Sequence, residues 1–199
     1  MENINEILEY WFGQDTGDKE VIDKKSALWW GKKAGNDMEI RQRFGDLHGL
    51  LESGVLDIWT EHAPGRLAYI ILADQFSRTI YRHHAAAFQH DKRALKLALE
   101  GIENGLDREL RRVERVFFYM PLEHDESPEI QDRSVALFRE LAGAAPPAEK
   151  KAFENFLDFA VRHKQVIDRF GRFPHRNEAL GRVSTAEELA FLKQPGSSF

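Results

Sequence analysis

The sequence predicts an all-α protein, and three observations support this fold class. Apolar residues recur three or four positions apart, as Ile40, Phe44, Leu47 and Leu51 do, which places them on one face of a helix. Residues that cap helices precede these runs, and glycine or proline follows them. Signals typical of strands are scarce. Helices joined by short turns favour a helical array or a bundle.

Capping residues locate the first two predicted helices. Asn3 and Glu6 form a capping box before the first apolar run, whereas the polar segment 13–25 is predicted to be a loop. Asn36 is expected to cap the next helix, which Gly54 ends. The aromatic residues between these two helices are expected to lie in the core or at its rim.

Proline and glycine set the bounds of the middle helices. Pro64 suits the first turn of a helix that runs to about residue 82. The next helix starts near residue 91 and stops at Gly105. Another starts near residue 107 and is expected to break at Pro121, because proline removes a helical hydrogen bond.

The last helices have the clearest start and stop signals. Ser127 is an N-cap followed directly by a proline, which suits the first helical position. A short linker at 144–147 precedes the longest helix, about 148–170, and Gly171 closes it. Overlapping capping boxes then predict a short final helix that extends to Leu192.

The composition limits the classes of protein that this chain can belong to. Its 199 residues fit one domain, 1–199, and the net charge of −5 argues against nucleic acid as a partner. There is no cysteine, which excludes disulfides, thiol nucleophiles and cysteine-based metal centres. No apolar run reaches a membrane-spanning length, and the acidic start is unlike a signal peptide. We therefore expect a cytoplasmic protein without a membrane partner; its oligomeric state is left open.

The helix from Pro64 to Arg82 carries the main functional signal. It is apolar on two sides, which predicts an interior position, yet Asp74, Arg78 and Arg82 follow one another at steps of four. Buried charges must be paired or must meet a ligand. A salt-bridge ladder and the floor of an anion site are both consistent with this pattern. Asp74 cannot neutralise both arginines, and that surplus of positive charge favours a site.

Two further clusters contain histidines. Glu123 and His124 follow the proline at position 121, where a protonated imidazole would suit a general acid. Without further context, a solvated acidic turn before Ser127 is the favoured interpretation. His163 lies on the inner stripe of the longest helix, where it serves either as a hydrogen-bonded core residue or as a ligand. Adjacent His83 and His84 lack the spacing of metal ligands, and no metal site is predicted.

The segment 168–177 is basic, aromatic and rich in turn residues. Its guanidinium groups suit a clamp for phosphate or carboxylate, since arginine binds such anions through two hydrogen bonds. Caps for the end of the preceding helix are the alternative. The side chains concerned are Arg169, Arg172, His175, Arg176 and Asn177.

Three blocks of sequence resemble a known family. The strings 72–78, 119–124 and 171–177, continued through 180–185, are together similar to a bacterial family of unknown function, numbered 924. The resemblance covers almost the whole chain and implies an all-α fold of antiparallel helix pairs, similar to tetratricopeptide-repeat proteins, in a single compact domain. It implies no activity. The three blocks coincide with the polar clusters described above.

Two functions from different classes follow from these clusters. The first is a binding protein whose central, arginine-rich pocket holds a small anionic ligand or a peptide carboxylate. The alternative is a metal-independent hydrolase or lyase acting on a phosphate- or carboxylate-bearing small molecule, in which His124 or His175 works as acid and base with Asp74. No cofactor is expected. The predicted ligand-binding residues are Asp74, Gln75, Arg78, Arg82, Glu123, His124, His163, Arg169, Arg172, His175, Arg176 and Asn177.

Overall fold

Ten α-helices account for most of the computed structural model, within the residues 2–31 and 34–197 that it describes. No strand occurs in these two ranges, which confirms the all-α prediction. No helix in the same ranges is long and apolar enough to cross a membrane. The helices are α1 (Glu2–Phe12), α2 (Asp18–Trp29), α3 (Ala34–His48), α4 (Ala63–Ile70), α5 (Ser77–Ile80), α6 (Asp91–Glu103), α7 (Arg112–Glu123), α8 (Pro128–Gly143), α9 (Lys150–Phe170) and α10 (Ala186–Leu192).

Several helix ends fall where the capping residues predict them. The hydroxyl of Ser127 accepts a hydrogen bond from the backbone N–H of Ile130, so it caps α8. Thr185 and Glu188 form a capping box at the start of α10. Gly171 ends α9 with a φ of 66°, in the left-handed region that glycine adopts at little cost.

Two predictions for the first helices are wrong. The segment 13–25 is not a loop, because α2 occupies most of it and buries Val21, Ile22 and Trp29 on one face. Its many charged residues obscure that face in the sequence. The second predicted cap, Asn36, lies inside α3, which begins at Ala34.

The helix predicted to start near residue 107 also differs from its prediction at both ends. Residues 106–109 form a separate 3₁₀ turn, and α7 begins only at Arg112. The helix then continues through Pro121 to Glu123. This proline removes one backbone donor without ending the helix. As a result, Glu123 is held on a helix rather than in a loop.

The chain from Ala63 to Ile80 forms the predicted interior helix. It consists of α4, the π-helical segment Ile71–Phe76 and α5 in direct succession. This central helix contacts α1, α3, α6 and α7, and most of its residues are buried. A π-helical turn inserts one extra residue and frequently marks a functional site. Here it contains Asp74, the first charged residue of the predicted ladder.

Close packing around Gly101 in α6 gives a testable contrast with Gly45 in α3. A Cβ atom at Gly101 would lie 2.5 Å from Cζ of Phe118 and 2.9 Å from Cδ of Arg66. We expect Gly101→Ala to lower the free energy of unfolding by about 1–3 kcal/mol, because the core cannot accept the methyl group. Gly45→Ala meets no atom within 4 Å, and we expect it to stabilise the protein by about 0.5–1 kcal/mol through its higher helix propensity.

Urea unfolding of both variants checks this prediction through the shift of the midpoint at an unchanged slope. Two substitutions of the same kind should shift the midpoint in opposite directions. A stabilising effect at Gly101 would show that α6 does not pack this closely against α4 and α7.

Candidate functional site

A cavity of about 520 Å³ opens beside the central helix. Its lining comes from the π-helical segment, α5, α7, α9 and the facing parts of α2 and α3. Charged and polar side chains form one part of the wall, and aromatic rings form the other. The charged and polar residues that the argument uses are Asp37, Gln75, Arg78, Arg82, Glu123, His124 and His163.

An imidazole and a carboxylate meet at this cavity. Nδ1 of His124 lies 2.7 Å from Oδ1 of Asp74, whose side chain is 1% exposed. The carboxylate is an acceptor, so Nδ1 of His124 carries the proton that the pair shares. His124 lines the cavity, and because its Nδ1 is engaged with the buried Asp74, Nε2 is the ring nitrogen that remains for a bound molecule.

The surroundings of this pair fix its charges. Burial lowers the pKa of His124, and the Arg78 guanidinium lowers it further, while Asp74 acts in the opposite direction. The imidazole is therefore neutral at pH 7, and Nε2 is an acceptor. Burial raises the pKa of Asp74, but Arg78 and the hydrogen bond with His124 outweigh burial and hold that pKa below its usual value. Asp74 is an anion next to a neutral base.

Arg78 of the central helix and Arg82, just after its end, are each matched by carboxylates. Nη1 of Arg78 lies 2.9 Å from Oδ1 of Asp74, and its two Nη atoms bind both oxygens of Asp91 at 2.9 and 3.0 Å. Arg82 binds both oxygens of Asp37, at 3.0 and 2.8 Å. The predicted surplus of positive charge is therefore wrong, because α3 and α6 supply carboxylates that the central helix alone does not contain.

A second carboxylate–imidazole pair lines the same cavity. Nδ1 of His163 lies 3.0 Å from Oε1 of Glu123 and 2.8 Å from the carbonyl oxygen of Phe159. Both neighbours are acceptors, so Nδ1 of His163 carries a proton. The rings of His163 and His124 are 6.1 Å apart between centroids. One cavity thus contains two imidazoles, each oriented through Nδ1.

The basic segment after α9 is divided between two places, and neither of its helix-end arginines lines the cavity. Arg169 binds Glu187, and Arg172 binds Glu188 at 2.6 and 2.8 Å. Asn177 donates to Ser184 and to Glu188. These contacts attach α10 to the end of α9. Arg169, Arg172 and Asn177 therefore do not join the pair formed by His124 and Asp74.

Arg176 and His175 also lie outside the cavity wall. The guanidinium of Arg176 lies over the rings of Phe88 and Phe173, at 5.0 and 4.4 Å from their centroids, and 3.6 Å from Asp91. Burial lowers the pKa of His175 to about 3. Arg176 thus shares Asp91 with Arg78. It contributes to the site only by helping to hold Asp91 in place beside Arg78.

Sequence reasoning missed the residues that complete the site. Asp91 and Asp37 come from other helices. Each lies in the first turn of its helix, α6 or α3, where an acidic residue is common, so the sequence gives no reason to assign them to a site. The aromatic wall was expected to be ordinary core. No group of three or more histidine and acidic side chains in the described ranges has the arrangement of a metal site.

Fold and geometry together define an all-α protein with paired carboxylate–imidazole groups at a cavity. The chain belongs to the family described as bacterial protein of unknown function (DUF924), whose model matches residues 7–196. A protein of unknown function from Agrobacterium tumefaciens, ATU0120, has a similar solved structure, with 34% sequence identity and a TM-score of 0.79 over 96% of each chain. No curated protein matches the sequence. These matches confirm the resemblance seen in the three sequence blocks.

Proposed function

We propose that this protein is an acid–base enzyme, a hydrolase or a lyase, acting on a small organic molecule held in the cavity. The observation that carries this proposal is the 2.7 Å contact between Nδ1 of His124, a residue that lines the cavity, and the buried Asp74. This contact leaves Nε2 as the ring nitrogen that can engage a bound molecule. A cavity of about 520 Å³ is within the range that binds small-molecule ligands.

The proposed chemistry begins with proton transfer to Nε2 of His124. The proton comes from a water molecule in a hydrolysis, or from the substrate itself in an elimination. The imidazolium that forms is stabilised by the Asp74 carboxylate, as in other carboxylate–histidine pairs. The ring then returns its proton to the leaving group. Arg78 and Gln75 contact Asp74 rather than the reacting atoms, so they are positioning residues.

The second pair supports the assignment to acid–base chemistry. A second acid–base group in the same cavity allows a proton to be removed at one point of the substrate and another to be delivered at a different point. His163 and His124 line one cavity with their ring centroids 6.1 Å apart, and each is oriented by a carboxylate. Nδ1 of His163 lies near both Glu123 and the carbonyl oxygen of Phe159, whereas Nδ1 of His124 contacts Asp74.

A single observation favours the predicted binding function as the alternative. Arg82 lines the cavity, and its side chain is 33% exposed. It binds Asp37 through Nε and Nη2, which leaves Nη1 outside that ion pair. A small carboxylate or phosphate would then bind at Arg82, and proton transfer by His124 would not be required.

Turnover of chromogenic p-nitrophenyl esters and p-nitrophenyl phosphates tests the proposed enzyme. We expect kcat/KM for the substrate that is turned over to fall about 10²–10⁴-fold in His124→Gln, because a general base contributes about that much. The matched control is His62→Gln, an exposed histidine outside the cavity, which should retain the wild-type rate. Equal rates in His124→Gln and wild type would contradict the proposal.

The binding alternative predicts a different set of results. Sodium acetate or sodium phosphate would raise the melting temperature of the wild type, since ligands that bind only the native state stabilise it. Arg82→Gln would abolish that shift, whereas His124→Gln would not. No substrate of the panel would be turned over.

A further inference from the structure

The aromatic part of the cavity wall has an unusual distribution of exposure. Six aromatic rings line the cavity: Trp11, Trp29, Trp30, Phe138, Phe156 and Phe159. Trp30 is 48% exposed and Phe159 is 40% exposed, which makes them the two most exposed aromatic rings in the described part of the chain. Tryptophan is enriched at interfaces, and neighbouring apolar side chains left open on a surface often mark a site that a ligand or a partner covers.

Trp30 is supported on one side by the core. Its ring stacks on Phe117 at an interplanar angle of 14°, with the ring centroids 6.1 Å apart. Phe117 is fully buried and does not line the cavity, whereas Trp30 does. The indole therefore packs on Phe117 and borders the cavity, where the ring of Phe156 also lies 6.1 Å away at an interplanar angle of 49°. About half of the Trp30 side chain remains exposed, at 48%. Offset stacking and edge contacts are the arrangements that aromatic rings prefer.

Charges restrict what can occupy the space beside this wall. Arg78 and Arg82 are matched by Asp74, Asp91 and Asp37, so these two arginines bring no excess of positive charge to the cavity. A group that binds against the aromatic wall gains most from being apolar, uncharged and planar. The reacting group of the same molecule must be polar to engage His124.

We propose that the substrate carries a planar aromatic group, which stacks on Trp30 and contacts Phe159 while its polar group reaches His124. Trp30 and Phe159 then determine specificity and take no part in proton transfer. The position of the polar group rests on the proposed function, whereas recognition of the ring by Trp30 does not.

Two uncharged amides that differ only in the ring test this inference by saturation-transfer NMR. The probes are 3-phenylpropionamide, which has a planar ring, and 3-cyclohexylpropionamide, which is at least as apolar but not planar. We expect the phenyl compound to bind about tenfold more tightly to the wild type, and Trp30→Leu to remove that preference, because stacking contributes about this much. Phe159→Leu, a second variant at the cavity mouth, should weaken the preference as well.

His124→Gln separates this inference from the proposed function. It should retain the preference for the phenyl compound even though it lacks turnover, because Trp30 and Phe159 are unchanged. Equal affinity of the two amides, no binding of either, or an unchanged preference in both Trp30→Leu and Phe159→Leu would overturn the inference. Loss of turnover in His124→Gln combined with any of these results would leave the acid–base enzyme intact and reject only the aromatic substrate.

Discussion

Replacing Arg78 by alanine is expected to lower the free energy of unfolding by about 3 kcal/mol, because removing one partner of a buried ion pair leaves an uncompensated charge. Arg78 neutralises Asp74, whose side chain is 1% exposed, and also binds Asp91. Without the guanidinium, Asp74 retains His124 and Gln75 as neutral partners only. The midpoint of urea unfolding, measured at pH 7, gives the magnitude.

Arg82→Ala is the matched control for this prediction. Arg82 makes a similar two-fold contact with Asp37, but both side chains are about one-third exposed, at 33% and 29%. Solvated ion pairs contribute about 0–1 kcal/mol, so we expect a loss within that range. Equal losses of unfolding free energy in the two variants would mean that Asp74 is not isolated from water. The buried ion pair between Asp74 and Arg78 would then be described wrongly.

Acidification from pH 7 to about pH 4.5 is expected to destabilise the protein strongly, through histidines that are held neutral. Burial lowers the pKa of His48 to about 4, and burial lowers that of His175 to about 3. In the unfolded chain both titrate near the ordinary value of 6.5. Between these values the unfolded state binds more protons, so stability is complete above pH 6.5 and is lost as the pH falls.

His48→Gln tests how much one histidine contributes to the loss of stability at low pH. Nε2 of His48 lies 2.7 Å from the hydroxyl of Ser77, and a glutamine amide can make a hydrogen bond there without titrating. The slope of the free energy of unfolding between pH 6.5 and pH 4.5 should therefore be smaller in this variant. His62→Gln, at an exposed position, should leave the slope unchanged. A wild-type protein whose stability is constant over this interval would refute the neutral state of the buried histidines.

Local signals in the sequence predicted much of the helical architecture. Ser127 and Gly171 mark helix ends through hydrogen bonds and backbone geometry that involve only neighbouring residues. α2 was missed because its buried face contains few residues, and charges surround them. Pro121 was misleading because tertiary packing holds α7 together past a missing hydrogen bond.

The site was predictable only in part, because its groups meet through long-range packing. Asp74 and His124 were both predicted site residues, yet their contact joins positions that are 50 residues apart. The sequence alone does not show that these two residues meet in space. Asp91 and Asp37 decide whether the arginines are free, and both come from helices that the ladder pattern does not include. For this reason the excess of arginines in the sequence did not correspond to an excess of charge in the fold.

The central claim is that Asp74 holds His124 as a neutral base with its proton on Nδ1 and Nε2 unprotonated. A nitrogen NMR titration of the His124 ring in the full-length protein tests it most directly. We expect the proton to reside on Nδ1 at pH 7, and the ring to become charged only below the ordinary pKa of 6.5. A ring that carries its proton on Nε2, or that is protonated at or above pH 6.5, would contradict the account.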